Sequence, residues 1–184
     1  MTVTTDQRRR IITRLNGRSQ LEAFEAAKAI WQDPDSKLER PLLATLRNGH
    51  RPFNRAAAAY AMQILRTSKT IIALERTVAN KSENGRVRGE AAEALAHGHR
   101  KRSHEVLLVG LGDPSKDVRF WCAFALGQMA ERRAIAVLTG LVATDKRVVR
   151  GWQSVAKEAA AALTDIKAAR KDWRRGRCKF CVHN

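Results

Sequence analysis

Few residues in this 184-residue chain have a type and spacing that could do chemistry unaided. Glu90 and Glu93 lie three apart, which on a helix brings two carboxylates together. Such a pair serves acid–base catalysis only if burial shifts a pKa, and on a solvated face it is ordinary. His97-Gly98-His99 and His104-Glu105 could in principle meet a metal, but turn and solvent positions account for them more simply. Cys178-Lys179-Phe180-Cys181, with His183 close behind, has thiolate spacing that suits zinc. It offers three ligands where a closed structural site takes four, and a frayed end or a redox pair competes with that reading. Cys122 reads as a small core residue. No cofactor follows from these sets, no cysteine has the neighbours of an activated nucleophile, and a non-catalytic role is expected.

Charge is the stronger local signal. Lys167, Arg170, Lys171, Arg174, Arg175 and Arg177 surround Trp173 near the C-terminus, and Arg8, Arg9 and Arg10 lie near the other end. Such a segment can contact phosphates while its aromatic ring stacks on a base; it can equally be an amphipathic helix capping a helical domain. The whole chain carries a formal charge of +17, a field that attracts nucleic acid, anionic membrane or an acidic protein. No run approaches the roughly 18 apolar residues of a membrane span. The N-terminus lacks the apolar run of a signal peptide, and the odd count of three cysteines fits a reducing, cytoplasmic interior.

The elements that must position these residues announce themselves by repetition. Val87-Arg88-Gly89-Glu90-Ala91-Ala92-Glu93-Ala94-Leu95 returns thirty-one residues later as Val118-Arg119-Phe120-Trp121-Cys122-Ala123-Phe124-Ala125-Leu126. Another thirty-one residues on, Val149-Arg150-Gly151-Trp152 is expected to open the next copy. Asn54 to Met62 matches upstream, and Glu22 to Ile30 more weakly. Between them, Leu38–Leu46, Thr70–Val78, His104–Leu111 and Ala134–Leu141 carry aliphatic residues at helical spacing. Breakers such as Asn48-Gly49-His50-Arg51-Pro52 and Gly112-Asp113-Pro114-Ser115 separate the two helix classes. The expectation is an all-α fold, a short right-handed α-solenoid of about five two-helix units whose core exists only once neighbours stack. Residues 1–18 read as a basic segment or capping helix, 19–163 as the solenoid, and 164–184 as a basic cap or tail.

Asp113-Pro114-Ser115-Lys116-Asp117-Val118-Arg119, followed by Ala123, Ala125, Leu126 and Gly127, resembles the HEAT-repeat signature. It is most similar to the short repeats of the phycobilisome-lyase type. The resemblance implies that the Val-Arg helices line the concave side, and that the chain binds partners. It leaves a chromophore-lyase or chaperone role open by analogy only. The chain's single His-Glu pair departs from the paired repeats of di-iron HEAT hydroxylases.

Arg55, Arg88, Arg119 and Arg150 form a regular column, expected to bridge to acids such as Asp113 and Asp145 as a stacking device rather than as a row of phosphate contacts. Positions two, three and six after the valine column should face outward. They supply Tyr60, Glu90, Glu93, Phe120, Trp121, Phe124 and Trp152, an expected partner-accessible face centred on Trp121 and Trp152. The reading favoured is a scaffold binding an acidic protein through this face. The alternative is nucleic-acid binding through basic patches and Lys167, Arg170, Lys171, Trp173, Arg174, Arg175 and Arg177. A small-molecule substrate is not expected.

Overall fold

A computed structural model describes residues 4–96 and 100–174, with side chains described as far as residue 169. Ten α-helices run in chain order: α1 Thr5–Leu15, α2 Gln20–Gln32, α3 Glu39–Asn48, α4 Pro52–Met62, α5 Ser68–Ala79, α6 Gly85–Ala94, α7 Lys101–Gly110, α8 Lys116–Gln128, α9 Ile135–Thr144 and α10 Val155–Arg174. Helix starts follow local chemistry. Thr4 and Gln7 form a reciprocal capping box, Ser19, Thr67 and Asn84 accept first-turn amides, and Pro52 opens α4 where its missing N–H costs nothing.

Consecutive helices pack as five pairs, and α2, α4, α6, α8 and α10 then stack on one another in a single layer. Alanine makes that layer close. Ala56–Ala59 in α4, Ala91 and Ala92 in α6, Ala123 and Ala125 in α8, and Ala159 and Ala162 in α10 are all buried. Gly127 of α8 comes so near α10 that a β-carbon there would lie 2.8 Å from the Cα of Ala162. The layer of α3, α5 and α7 makes much sparser contacts from helix to helix. The even-numbered helices are thus the more closely packed layer, and that layer is called the inner one. The aliphatic column holds the stack: Val87, Leu95, Val118 and Leu126 are sealed, each worth about 1.5–3 kcal/mol of burial. Cys122 is a core residue, as expected, and burial pushes its thiol pKa up.

The arginine column is a ladder between units. Arg55 forks onto both Glu83 oxygens at 2.7 and 2.8 Å, and Arg88 onto Asp113 at 2.5 and 3.1 Å. Arg119 bonds Asp145 at 2.7 Å and also donates to the Asp113 carbonyl. Each of these three arginines thus reaches an acid of the next unit. Burial alone would raise Asp113, but bonds from Arg88, Lys81 and the Ser115 amide hold it at about 2. In the second pair Asn54 stands where the third and fourth have valine. It is fully buried and donates to the Leu15 and Gly17 carbonyls, closing the end of α1.

The first helix packs on α2 as half of a pair, and α10 runs on past residue 163 to Arg174. The expected fifth copy of the repeat needs correction. Val149-Arg150-Gly151-Trp152 opens no helix. Residues 145–154 form a loop closed by a Val148–Ser154 bridge, with Gly151 at φ +83°, a conformation glycine tolerates. The valine column resumes at Val155, with Leu163 eight residues on, so six inserted residues separate it from the thirty-one-residue spacing. Arg150 is therefore exposed and outside the ladder, while Arg147 pairs with Asp145 at 2.8 Å.

Candidate binding site on the inner layer

Sixth positions after the start of the repeat fall at the surface of the inner layer, and third positions lie buried beside them. Across α4, α6 and α8 the sixth position is Tyr60, Glu93 and Phe124, all half-buried; the third is Ala57, Glu90 and Trp121. This places a pair of carboxylates on α6 between aromatic residues on either flank. On one flank Trp31 of α2 stacks on Tyr60 at 5.4 Å with rings 16° apart, and its Nε1–H donates to the Tyr60 carbonyl. Phe24, one helical face along α2 from Trp31, lies 6.1 Å from Tyr60. On the other flank Trp121 meets Phe124 edge-on at 5.6 Å and Trp152 at 5.0 Å.

Gly89 explains how Trp121 lies so close to α6. A β-carbon at position 89 would fall 2.8 Å from the Trp121 Cδ1, so the indole rests on bare backbone. On a helix Gly89, Glu90 and Glu93 share one face, and the indole therefore borders the carboxylates.

Glu90 is only 9 % exposed and Glu93 half-buried. Burial, joined by repulsion from Glu93, pushes Glu90 up to about 8. Burial also raises Glu93 to about 7, against a lowering influence from the neighbouring Gln63 amide. The Gln63 nitrogen is buried beside Glu93 and has no hydrogen bond of ordinary geometry. One internal cation approaches: the Arg86 guanidinium lies 3.9 Å from Glu90 and 5.1 Å over the Phe24 ring. Arg88 and Arg119, on α6 and α8, are occupied in the ladder.

The aromatic face differs from the expected one. Phe120, at 1 % exposure, is a core residue beneath Trp152, and Trp121, at 6 %, is nearly covered. Neither offers an open surface, because the second position of the repeat turns toward the neighbouring layer and the 145–154 loop lays Trp152 across Trp121. Trp152 is open at 59 % exposure, but it stands on that loop rather than on a helix. Sequence reasoning missed Trp31, Phe24, Gln63 and Arg86. The first two are seven apart, a same-face spacing on α2 that was available; Gln63 and Arg86 carry no local signal.

Other candidates lie elsewhere. His104 is on α7, half-buried, with Nδ1 2.7 Å from Glu131, so it is neither a turn residue nor free in solvent. Among the described residues no group of three or more His, Cys, Asp or Glu side chains is arranged to hold a metal. His97, His99, Arg175, Arg177, Cys178, Cys181 and His183 lie outside the described residues. Lys167 is exposed on α10; the same helix carries Arg170, Lys171, Trp173 and Arg174, whose side chains fall outside the description. An apolar cavity of about 540 Å³ lies on the outer layer between α5 and α7, lined by Val78, Val106 and Val109. No helix among the described residues is long and apolar enough to cross a membrane.

Stacked helix pairs joined along one edge by a buried arginine ladder define an all-α solenoid, a repeat scaffold of the kind that mediates interactions. A family model for HEAT repeats matches residues 9–96 and again 77–164, and the chain belongs to the HEAT-repeat family. Among curated proteins none matches it.

Proposed function

We propose that the chain is a non-catalytic scaffold that binds a protein partner through the inner layer, at the face formed by Trp31, Tyr60, Glu90, Glu93, Phe124 and Trp152. The observation that carries this reading is the gathering of partly open aromatic rings, Trp152 at 59 % and Trp31 at 38 % exposure, around one carboxylate pair. Large aromatic residues dominate binding hot spots because they bury much area for few lost rotors. The net charge of +17 raises encounter rates with an acidic protein, while the face itself offers its acids to a basic side chain of that protein. We also place the repeats nearest the phycobilisome-lyase type, on the Asp113–Gly127 segment, and take no activity from that placement.

A photo-crosslinking residue at position 152 tests the reading, with position 109 on the outer layer as the control. Protein adducts from 152 that survive nuclease treatment, and none from 109, are expected. Equal labelling from both faces, or no protein adduct from 152, overturns it.

The second reading, nucleic-acid binding, is favoured by α10, which continues unbroken to Arg174 and carries Lys167, Arg170 and Lys171 toward its end. Titration with duplex and single-stranded oligonucleotides at two salt concentrations decides it, since each phosphate contact makes affinity fall with salt.

A further inference from the structure

We propose that the inner face is a cation site: Glu90 and Glu93, walled by Tyr60 on one side and by Phe124, Trp121 and Trp152 on the other, take the guanidinium or ammonium end of one Lys or Arg side chain of the partner protein. The inference deepens the scaffold reading by naming the group that the face holds.

Charge balance comes first. Two carboxylates share this spot, and the internal guanidinium that reaches it, Arg86, stands 3.9 Å from Glu90 alone. Ionising both acids therefore leaves one negative charge on the Glu93 side. Lys28 is the next cation toward this face, and it is engaged with Glu25 at 2.9 Å.

Arg86 also shows the chemistry at work. Its guanidinium lies over the Phe24 ring while reaching for a carboxylate, so one cation already occupies an aromatic-and-acid setting on this face. On the flank toward α8 no cation among the described residues pairs with Glu93. There Glu93 is half-buried, Phe124 is half-buried, and Trp152 presents an open indole 5.0 Å from Trp121. Aromatic faces attract a cation by their quadrupole, and more strongly where water is thinned out.

Gln63 supplies an independent sign. Its side chain is 6 % exposed and its amide nitrogen has no hydrogen bond of ordinary geometry, yet it sits beside Glu93. A buried donor left in that state is costly. Ionisation of Glu93 on arrival of a cation gives it a charged acceptor.

Binding then depends on pH. The groups facing the pair are Arg86 on the same helix, Asp117 at the start of α8, Tyr60 on α4 and, through Tyr60, Lys28 on α2. Burial holds protons on both acids near neutrality, so a cation must displace a proton, and affinity rises as pH rises.

The test uses the full chain and Nα-acetyl-arginine amide as probe, with the uncharged Nα-acetyl-citrulline amide as its control. The indole N–H signals of Trp152 and Trp31 are followed by NMR. Saturable shifts are expected with the arginine probe and not with the citrulline one, about tenfold weaker at pH 6 than at pH 8.5, and weakened about tenfold by Glu93→Gln. Circular dichroism checks the fold of that variant, and Glu90→Gln serves as a second. Equal response to both probes, no response, or no effect of either substitution in a folded chain overturns the site. An oligonucleotide that binds and loses affinity on Glu93→Gln would overturn the assignment to a protein side chain. Crosslinking at position 152 reads the scaffold function separately: adducts without arginine binding sink the cation site alone.

Discussion

The molecule buries ionisable groups in two places, and it treats them in opposite ways. Along the edge of the stack, Arg88 and Asp113 lie at 4 % and 2 % exposure, bonded to each other and to backbone. On the inner face, Glu90 is buried beside the half-buried Glu93, two acids with one guanidinium 3.9 Å from Glu90. A buried ion pair that is fully bonded fixes how units stack. Two acids without sufficient counter-charge destabilise the fold, and that cost is tolerated where something else benefits. The difference separates a structural device from a site.

The largest expected effect breaks the ladder. Arg88→Ala strips the fork from buried Asp113 and leaves it Lys81 and the Ser115 amide, and chemical denaturation should show a loss of about 1.5–3 kcal/mol. If the loss is under about 1 kcal/mol, the ladder does not hold the units together.

Tight packing of the inner layer comes next. Gly127→Ala drives a β-carbon to 2.8 Å from the Ala162 backbone. Overpacking should cost about 1–3 kcal/mol, offset in part by the roughly 1 kcal/mol that alanine gains over glycine in a helix. A net gain in melting temperature would show that α8 and α10 can part without penalty.

Opposite pH dependences sharpen the comparison. Glu90 and Glu93 have raised pKa values, so between about 4.5 and about 8 the folded chain keeps protons that the unfolded chain has released. Folding stability from this pair therefore falls as pH rises through that window. Glu90→Gln removes the penalty and should stabilise by about 1–2 kcal/mol at pH 8, with no gain at pH 4. Asp113 runs the other way: its pKa drops from 3.8 to about 2, so its contribution is complete above about 4 and is lost as pH falls toward 2. Urea melts of the native chain and of Glu90→Gln at pH 4, 6 and 8 would distinguish the two slopes, and parallel curves would show that the pair is not held protonated.

The smallest stability effect is expected at Trp152. Trp152→Ala should cost less than about 1 kcal/mol, because the ring is mostly open, while removing most partner capture. A cooperative unfolding curve that shifts far more than this would make Trp152 a structural clasp for the loop.

Much of this was legible in the residues. Val87 and Val118 with their leucines eight residues on, the alanine runs, and the breakers at Gly49, Gly85 and Gly112 gave the helix pairs, because a helix period and a repeat period are properties of spacing alone. The six-residue insertion before Val155 was not legible. Val149-Arg150 copies Val118-Arg119 in type, and only the bridge from Val148 to Ser154 and the left-handed Gly151 reveal a loop.

Composition and periodicity thus determined the all-α solenoid, its alanine-lined inner layer and the column of arginines, since these follow from local propensity and repetition. Tertiary structure alone decided which acid each arginine holds, that Phe120 and Trp121 are covered while Trp152 is open, and that Trp31 and Arg86 join the Glu90–Glu93 face. The physical reason is that a repeat fixes where a side chain sits on its own helix. Burial, and the pKa shift that comes with it, depends on which neighbour comes to rest above it.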